Sequence, residues 1–187
     1  MERMNAQTDK IKETILGSGC FWCTEAIFQM VKGIVEITPG YSGGHIKNPS
    51  YREVCDGNTG HAEVIKLVYN ETIISFSEIL EIFFKTHDPT QLNGQGADIG
   101  EQYRSVIFYL DSLQEQTAKT IIAELDNKKI WDKKIVTAVE PYKNFYKAED
   151  YHHNYYSNNP NQGYCRFVIT PKIEKFEKVF RNYTIRE

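Results

Sequence analysis

The stretch TILGSGCFWCTEAIF, residues 14–28, decides the fold, because its hydrophobic period changes part-way along. Thr14-Ile15-Leu16 read as a short strand, which runs through Gly17-Ser18-Gly19 into a helix starting near Cys20. A cysteine at a helix start lies at the positive end of the helix dipole, near backbone N–H groups that stabilise a thiolate. The glycines beside Ser18 let a substrate oxygen or a partner chain approach the backbone. The alternative is an inert buried cysteine, since free cysteine is among the most buried residue types. A glycine-rich strand-to-helix turn is an unusual place for one.

Further strands are expected at His61–Tyr69, Val106–Leu110 and Ile135–Val139. Ser75-x-x-Glu78 and Ser112-x-x-Glu115 read as capping boxes, each opening a helix with apolar residues at helical spacing. A short amphipathic helix, Ile173–Phe180, closes the chain. This alternation belongs to the α/β or α+β classes. Two irregular stretches, 40–60 and 87–104, are rich in Gly, Asn, Asp and Tyr, and loops of that length in a compact domain are usually functional.

The 187 residues fit a single catalytic domain spanning 1–187, with a polar tail at 1–12 and a mobile C-terminal segment around 157–170. A net charge of −3 gives no sign of nucleic acid or anionic lipid as a partner. The polar N-terminus lacks the apolar core of a secretory signal, and no apolar run approaches the ~20 residues of a membrane span. A cytoplasmic location is expected. There, four cysteines point to catalysis or metal binding rather than structural disulfides.

Cys23 stands three residues after Cys20, so the two side chains are within reach of a disulfide after modest adjustment. Zinc is the competing explanation of a C-x-x-C. A Cys₄ site needs a second close pair, however, and Cys55 and Cys165 stand alone in sequence, while His152-His153 point in different directions on a helix. Glu63 shares a strand face with Ile65 and Leu67. On the core side its carboxyl is desolvated and stays protonated near neutrality, able to donate a proton. If the strand starts at residue 64 instead, Glu63 lies in water. Tyr51 and Tyr103, in the long loops, carry hydroxyls suited to binding a polar oxygen in an apolar pocket, although each alone is more often packing. Asp98 reads alone as a turn former.

Together, GCFW followed by EAIF, Gly-Tyr-Ser-Gly-Gly at 40–44, Tyr51-x-x-Val-Cys-x-Gly-x-x-Gly-His-Ala-Glu63 and Asp98-Ile-Gly-x-Gln-Tyr103-Arg-Ser resemble the class A peptide methionine sulfoxide reductases. The resemblance runs from about Leu16 to Phe180 and keeps four motifs in order. It implies an α/β roll with a ferredoxin-like, mixed-sheet core and long coiled segments. It implies Cys20 as nucleophile toward the sulfoxide sulfur, and Glu63 as acid to its oxygen, assisted by Tyr51 and Tyr103, with Asp98 in the same pocket. Phe21 and Trp22 become the apolar wall for the S-methyl group. The implied substrate is the S epimer, free or in proteins. Cys20 is left as a sulfenic acid.

No metal or organic cofactor is implied; thioredoxin supplies the reducing equivalents. Many members carry glycine at position 23 and a resolving cysteine in the C-terminal Gly-Tyr-Cys stretch, whereas this chain has both Cys23 and Cys165. Cys165, after a flexible segment, is expected to resolve first, with a relay to a pair involving Cys23. Cys55 is taken as packing, and the enzyme is expected to be a monomer. The competing readings are a thiol–disulfide oxidoreductase acting through Cys20 and Cys23, and a zinc-stabilised interaction module.

Overall fold

The computed structural model of the chain describes residues 10–185, so most of the expected polar tail lies outside the described residues. The tail ends before residue 12, because strand β1 (Ile11–Ser18) already begins at Ile11. β1 turns through Gly19 into α1 (Phe21–Phe28). Gly19 has φ +96°, and a Cβ there would lie 2.6 Å from Cβ of Gln95, so this hinge requires glycine on both counts.

The chain continues through β2 (Ile34–Ser42), the short α2 (Tyr51–Cys55), β3 (Ala62–Asn70) and α3 (Phe76–Thr86). A small hairpin of β4 (Gly94–Gln95) and β5 (Asp98–Ile99) precedes β6 (Ser105–Tyr109) and α4 (Ser112–Asn127). β7 (Ala138–Pro141), β8 (Tyr146–Lys147), α5 (Tyr155–Asn158) and α6 (Thr170–Val179) follow.

One six-stranded sheet has the order β7-β6-β1-β3-β2-β8. The β6–β7 pairing is parallel, and β1 with β3, β1 with β6, β2 with β3 and β2 with β8 are antiparallel. Its centre, β6-β1-β3-β2, is visited in the chain order β1-α1-β2-β3-α3-β6, which is the ferredoxin-like split β-α-β arrangement expected above. Period-two alternation divides the strands between two cores. Leu16, Ile65, Leu67 and Ile107 pack with Phe21, Phe28, Leu80 and Phe83 of the helices. Ile15, Val64, Val106 and Phe108 face the other way, against Phe145.

β2 was not anticipated, because Glu36, Pro39 and Gly40 break its alternation. It is held along its length by β3, while β8 pairs only Gly40 and Tyr41. Pro39 is tolerated because its missing N–H falls where that edge is largely open. The strand expected at Ile135–Val139 forms later, at Ala138–Pro141, where the parallel register with Val106–Tyr109 sets it. The closing helix starts earlier than Ile173, at Thr170, and continues a π-helical stretch, Cys165–Ile169. The segment around 157–170, expected to be mobile, thus contains helix from Cys165 onward.

The Ser75 capping box forms as read, with Oγ accepting from the Glu78 amide and the Glu78 carboxylate accepting from the Ser75 amide. The Ser112 box does not cap α4. Asp111, one residue earlier, accepts from the Gln114 amide at 2.8 Å, and Gln114 Oε1 takes the Leu110 N–H. Asp111→Ala is therefore expected to cost about 1 kcal/mol, and Ser112→Ala a few tenths at most. Urea denaturation midpoints of the two variants check this, and equal losses would contradict it.

Candidate active site

The site forms where β1 enters α1. Cys20 is the N-cap of α1, with φ −58° and ψ 123°, so its backbone has not yet entered the helix. Ser18 Oγ and Thr24 Oγ1 lie 2.8 Å apart across the turn, and Thr24 Oγ1 also donates to the Cys20 carbonyl. No side chain of the cap takes the first amides of the helix. The Phe21 N–H instead donates to Oε2 of Glu63 at 3.0 Å, so a carboxyl on β3 satisfies an amide orphaned by helix geometry.

Glu63 is 1% exposed and lies on the same core as Ile65 and Leu67, and β3 begins at Ala62, so the water-exposed alternative is excluded. Burial lifts its pKa to about 8, against the opposing pull of the Phe21 amide. At neutral pH the carboxyl is protonated. Tyr51 opens α2 and Tyr103 ends a 3₁₀ turn, Glu101–Tyr103. Both hydroxyls have raised pKa values, first through burial and then through the Glu63 charge, so both stay proton donors beside that carboxyl. Tyr51 is fixed by its N–H to Oε1 of Glu149 at 2.7 Å, and its ring packs on Phe21 and His152.

The thiols form one group. Cys20, Cys23 and Cys165 share a small apolar cluster with Ala26, Ile169 and Ile173, and all are free. The Cys20 and Cys23 side chains interact directly, and this interaction lowers Cys23 to a pKa of about 7, with support from Lys172 and Tyr164 and against its burial. Burial, then Cys23 and the Glu63 charge, raise Cys20 well above its ordinary value. At Cys20, burial therefore opposes the helix-start stabilisation of a thiolate. Cys165 is fully buried on the C-terminal helical segment, not on a loose tail. Cys55, expected to be packed, is exposed at the end of α2.

Phe21 is buried between Tyr41, Tyr51 and His152. Trp22 is partly exposed, stacked on Tyr155 with ring centroids 3.7 Å apart and 4° between planes, and its Nε1–H donates to Nδ1 of His152 at 3.0 Å. That bond leaves the proton of neutral His152 on Nε2, toward Glu149 at 3.5 Å. Burial holds His152 neutral, with a pKa of about 4. Asp98 accepts from the Tyr164 hydroxyl, which also lies 3.7 Å from Cys23 Sγ. His152, Tyr155 and Tyr164 were not singled out as site residues in the sequence. For Tyr164 the available signal was its position beside Cys165. Among the described residues no three His, Cys, Asp or Glu side chains group as a metal-ligand set.

A sequence model of the family described as peptide methionine sulfoxide reductase matches residues 12–184. This chain belongs to that family. MsrA of Saccharolobus solfataricus is 53% identical over 165 residues, 88% of this chain and 92% of the relative. The reduced form of Mxr1 from Saccharomyces cerevisiae superposes with a TM-score of 0.79 at 38% identity, covering 84% of this chain and 91% of that one. Mxr1 has also been solved in complex with Trx2; that structure matches with a TM-score of 0.57 at 29% identity, covering 82% and 91%.

The raised pKa of Glu63 in this reductase has a stability consequence of definite sign. The folded chain holds this proton more tightly than the unfolded one, so the contribution to stability is full below about 4.5 and is lost as pH rises through about 8. Glu63→Gln keeps an acceptor for the Phe21 amide and cannot ionise. Its melting temperature is expected to exceed that of the parent at about pH 9, with the gap closing near about pH 5. A gap independent of pH would show that Glu63 does not titrate in this window.

Proposed function

We propose that the chain reduces methionine S-sulfoxide, free or within proteins, through a sulfenic acid at Cys20 and a disulfide recycled by thioredoxin. The observation that carries this is the single hydrogen bond holding a neutral carboxyl, Glu63, against the residue that follows Cys20. A nucleophile for sulfur and an acid for oxygen thus meet at one helix start, which is the pair of groups that breaking an S–O bond requires.

Above about pH 7 the Cys23 thiolate takes the Cys20 proton as substrate arrives. Cys20 sulfur attacks the sulfoxide sulfur and Glu63 protonates the oxygen. The hydroxyl then passes to Cys20 sulfur as the S–O bond and the new S–S bond break; the S–S electron pair goes to the methionine, released as a thioether, and Cys20 is left as a sulfenic acid. Tyr51 and Tyr103 bind the oxygen beside Glu63. Phe21 and Trp22 supply the apolar wall for the S-methyl group, and Asp98, tied to Tyr164, borders the same pocket. No metal or organic cofactor enters the scheme.

Cys23, in the same cluster as Cys20 and three residues from it, is the first resolving thiol. Cys23 attacks the sulfenic sulfur while Glu63 carboxylate relays the Cys23 proton to the departing hydroxyl, which leaves as water, and solvent then reprotonates Glu63. Cys165, in the same apolar cluster, then attacks Cys23, which frees Cys20 and leaves a Cys23–Cys165 disulfide. This order differs from the one expected of a flexible tail, because Cys165 lies on a helix and Cys23 is the thiol in contact. Thioredoxin as reductant is supported by the Mxr1 structure in complex with Trx2. The cycle needs one chain, acting as a monomer through a single domain, and belongs in the cytoplasm, where thiols are kept reduced. No helix among the described residues is long and apolar enough to cross a membrane.

Cys20→Ser is expected to abolish reduction of dabsyl-methionine S-sulfoxide. Cys165→Ser completes one turnover and accumulates a Cys20–Cys23 disulfide, read by peptide mass spectrometry. A sulfenic acid left on Cys20 in that variant would remove Cys23 as first resolver. Reduction of insulin disulfides without any reduction of the sulfoxide would favour a thiol–disulfide oxidoreductase instead.

The single-turnover rate is expected to rise with pH through about 7, as Cys23 ionises, and to fall above about 8, as Glu63 loses its proton. Glu63→Gln lowers the rate by about 10²–10⁴-fold and removes the descending limb. A rate that keeps rising above that limb in the parent chain would exclude Glu63 as the acid.

A further inference from the structure

We propose that Glu25 is a positioning residue that sets the orientation of Trp22 by clamping the segment 152–155. The proposal rests on the reading of Trp22 as a wall of the substrate site, and its test separates the two. Glu25 lies on α1, one residue beyond Thr24, and only 2% of its side chain is exposed. A carboxylate buried in a helix flanked by Ala26 and Ile27 needs partners, and its hydrogen-bond and ion-pair partners among the described residues lie about 130 residues away, on one short segment.

The Asn154 N–H donates to both carboxylate oxygens, at 3.1 and 3.0 Å, and His153 Nδ1 lies 3.0 Å from Oε1. One helical turn along, Gln29 Nε2 donates to the Asn154 side-chain oxygen, so two residues on one face of α1 hold the same asparagine. Asn154 has φ 54°, in the left-handed region, and so turns the chain sharply between two groups that touch Trp22. On one side His152 accepts the indole N–H, and on the other Tyr155 stacks on the indole face. Release of the clamp frees both contacts at once, while the Phe21–Glu63 bond lies elsewhere on α1 and needs neither.

The test uses Glu25→Gln in a Trp131→Phe background, which leaves Trp22 as the single tryptophan. Glu25→Gln retains size and one acceptor and is the milder change; Gln29→Ala, which loosens only Asn154, is the second variant should the first not fold. Indole emission is expected to shift and gain solvent quenching by acrylamide. KM for dabsyl-methionine S-sulfoxide should rise about tenfold, with the single-turnover rate at saturation within about threefold of the parent. Unchanged emission and quenching in both variants would overturn the clamp. Altered emission with unchanged KM would leave the clamp standing and sink the role of Trp22 in holding substrate.

Discussion

The hydrogen bond from the Phe21 amide to the Glu63 carboxyl is the constraint on which the rest of this molecule depends. It joins the first free amide of α1 to the second residue of β3, and so fixes the helix start over the sheet at one point. The helix gains a partner for an orphan donor, and the carboxyl gains its hydrogen bond without leaving the apolar core. The cost is a desolvated acid that ionises only near pH 8. Elsewhere in a core such a group would be a liability; here the same desolvation makes it a proton donor at neutrality.

The surrounding structure serves the same placement. Ser18 and Thr24 close the turn that carries Cys20. Gly19 lets the chain swing into the helix where a side chain would strike Gln95. Tyr41 and the Tyr51 amide both bind Glu149, which docks the aromatic loop segment onto the end of the sheet. Cys23 and Cys165 lie with Cys20 in one small apolar cluster, so three sulfurs meet at the helix start.

Much of this was legible in the residues. Period two through Ile65 and Leu67 offered Glu63 a buried face but left open a strand starting at residue 64, which the structure decides against, and the Gly-Ser-Gly turn marked the entry to α1. The ferredoxin-like topology came through the family resemblance, because β2 is invisible to periodicity with Pro39 and Gly40 inside it. What sequence could not supply was contact between distant segments. Nothing local says that His152 receives the Trp22 indole or that Asn154 sits on Glu25, since those bonds span about 130 residues. The helix dipole at Cys20 is likewise a local argument, whereas the burial that opposes it comes from the packing of distant segments.

The central claim is that Glu63 carries a proton at neutral pH while it holds the Phe21 amide. Infrared difference spectroscopy of the parent chain against Glu63→Gln measures this directly, through the carbonyl stretch of a buried carboxylic acid followed over pH. The expected result is a band present at neutrality that disappears with a midpoint of about 8. A midpoint near the ordinary carboxylate value of about 4.3 would contradict the acid role of Glu63.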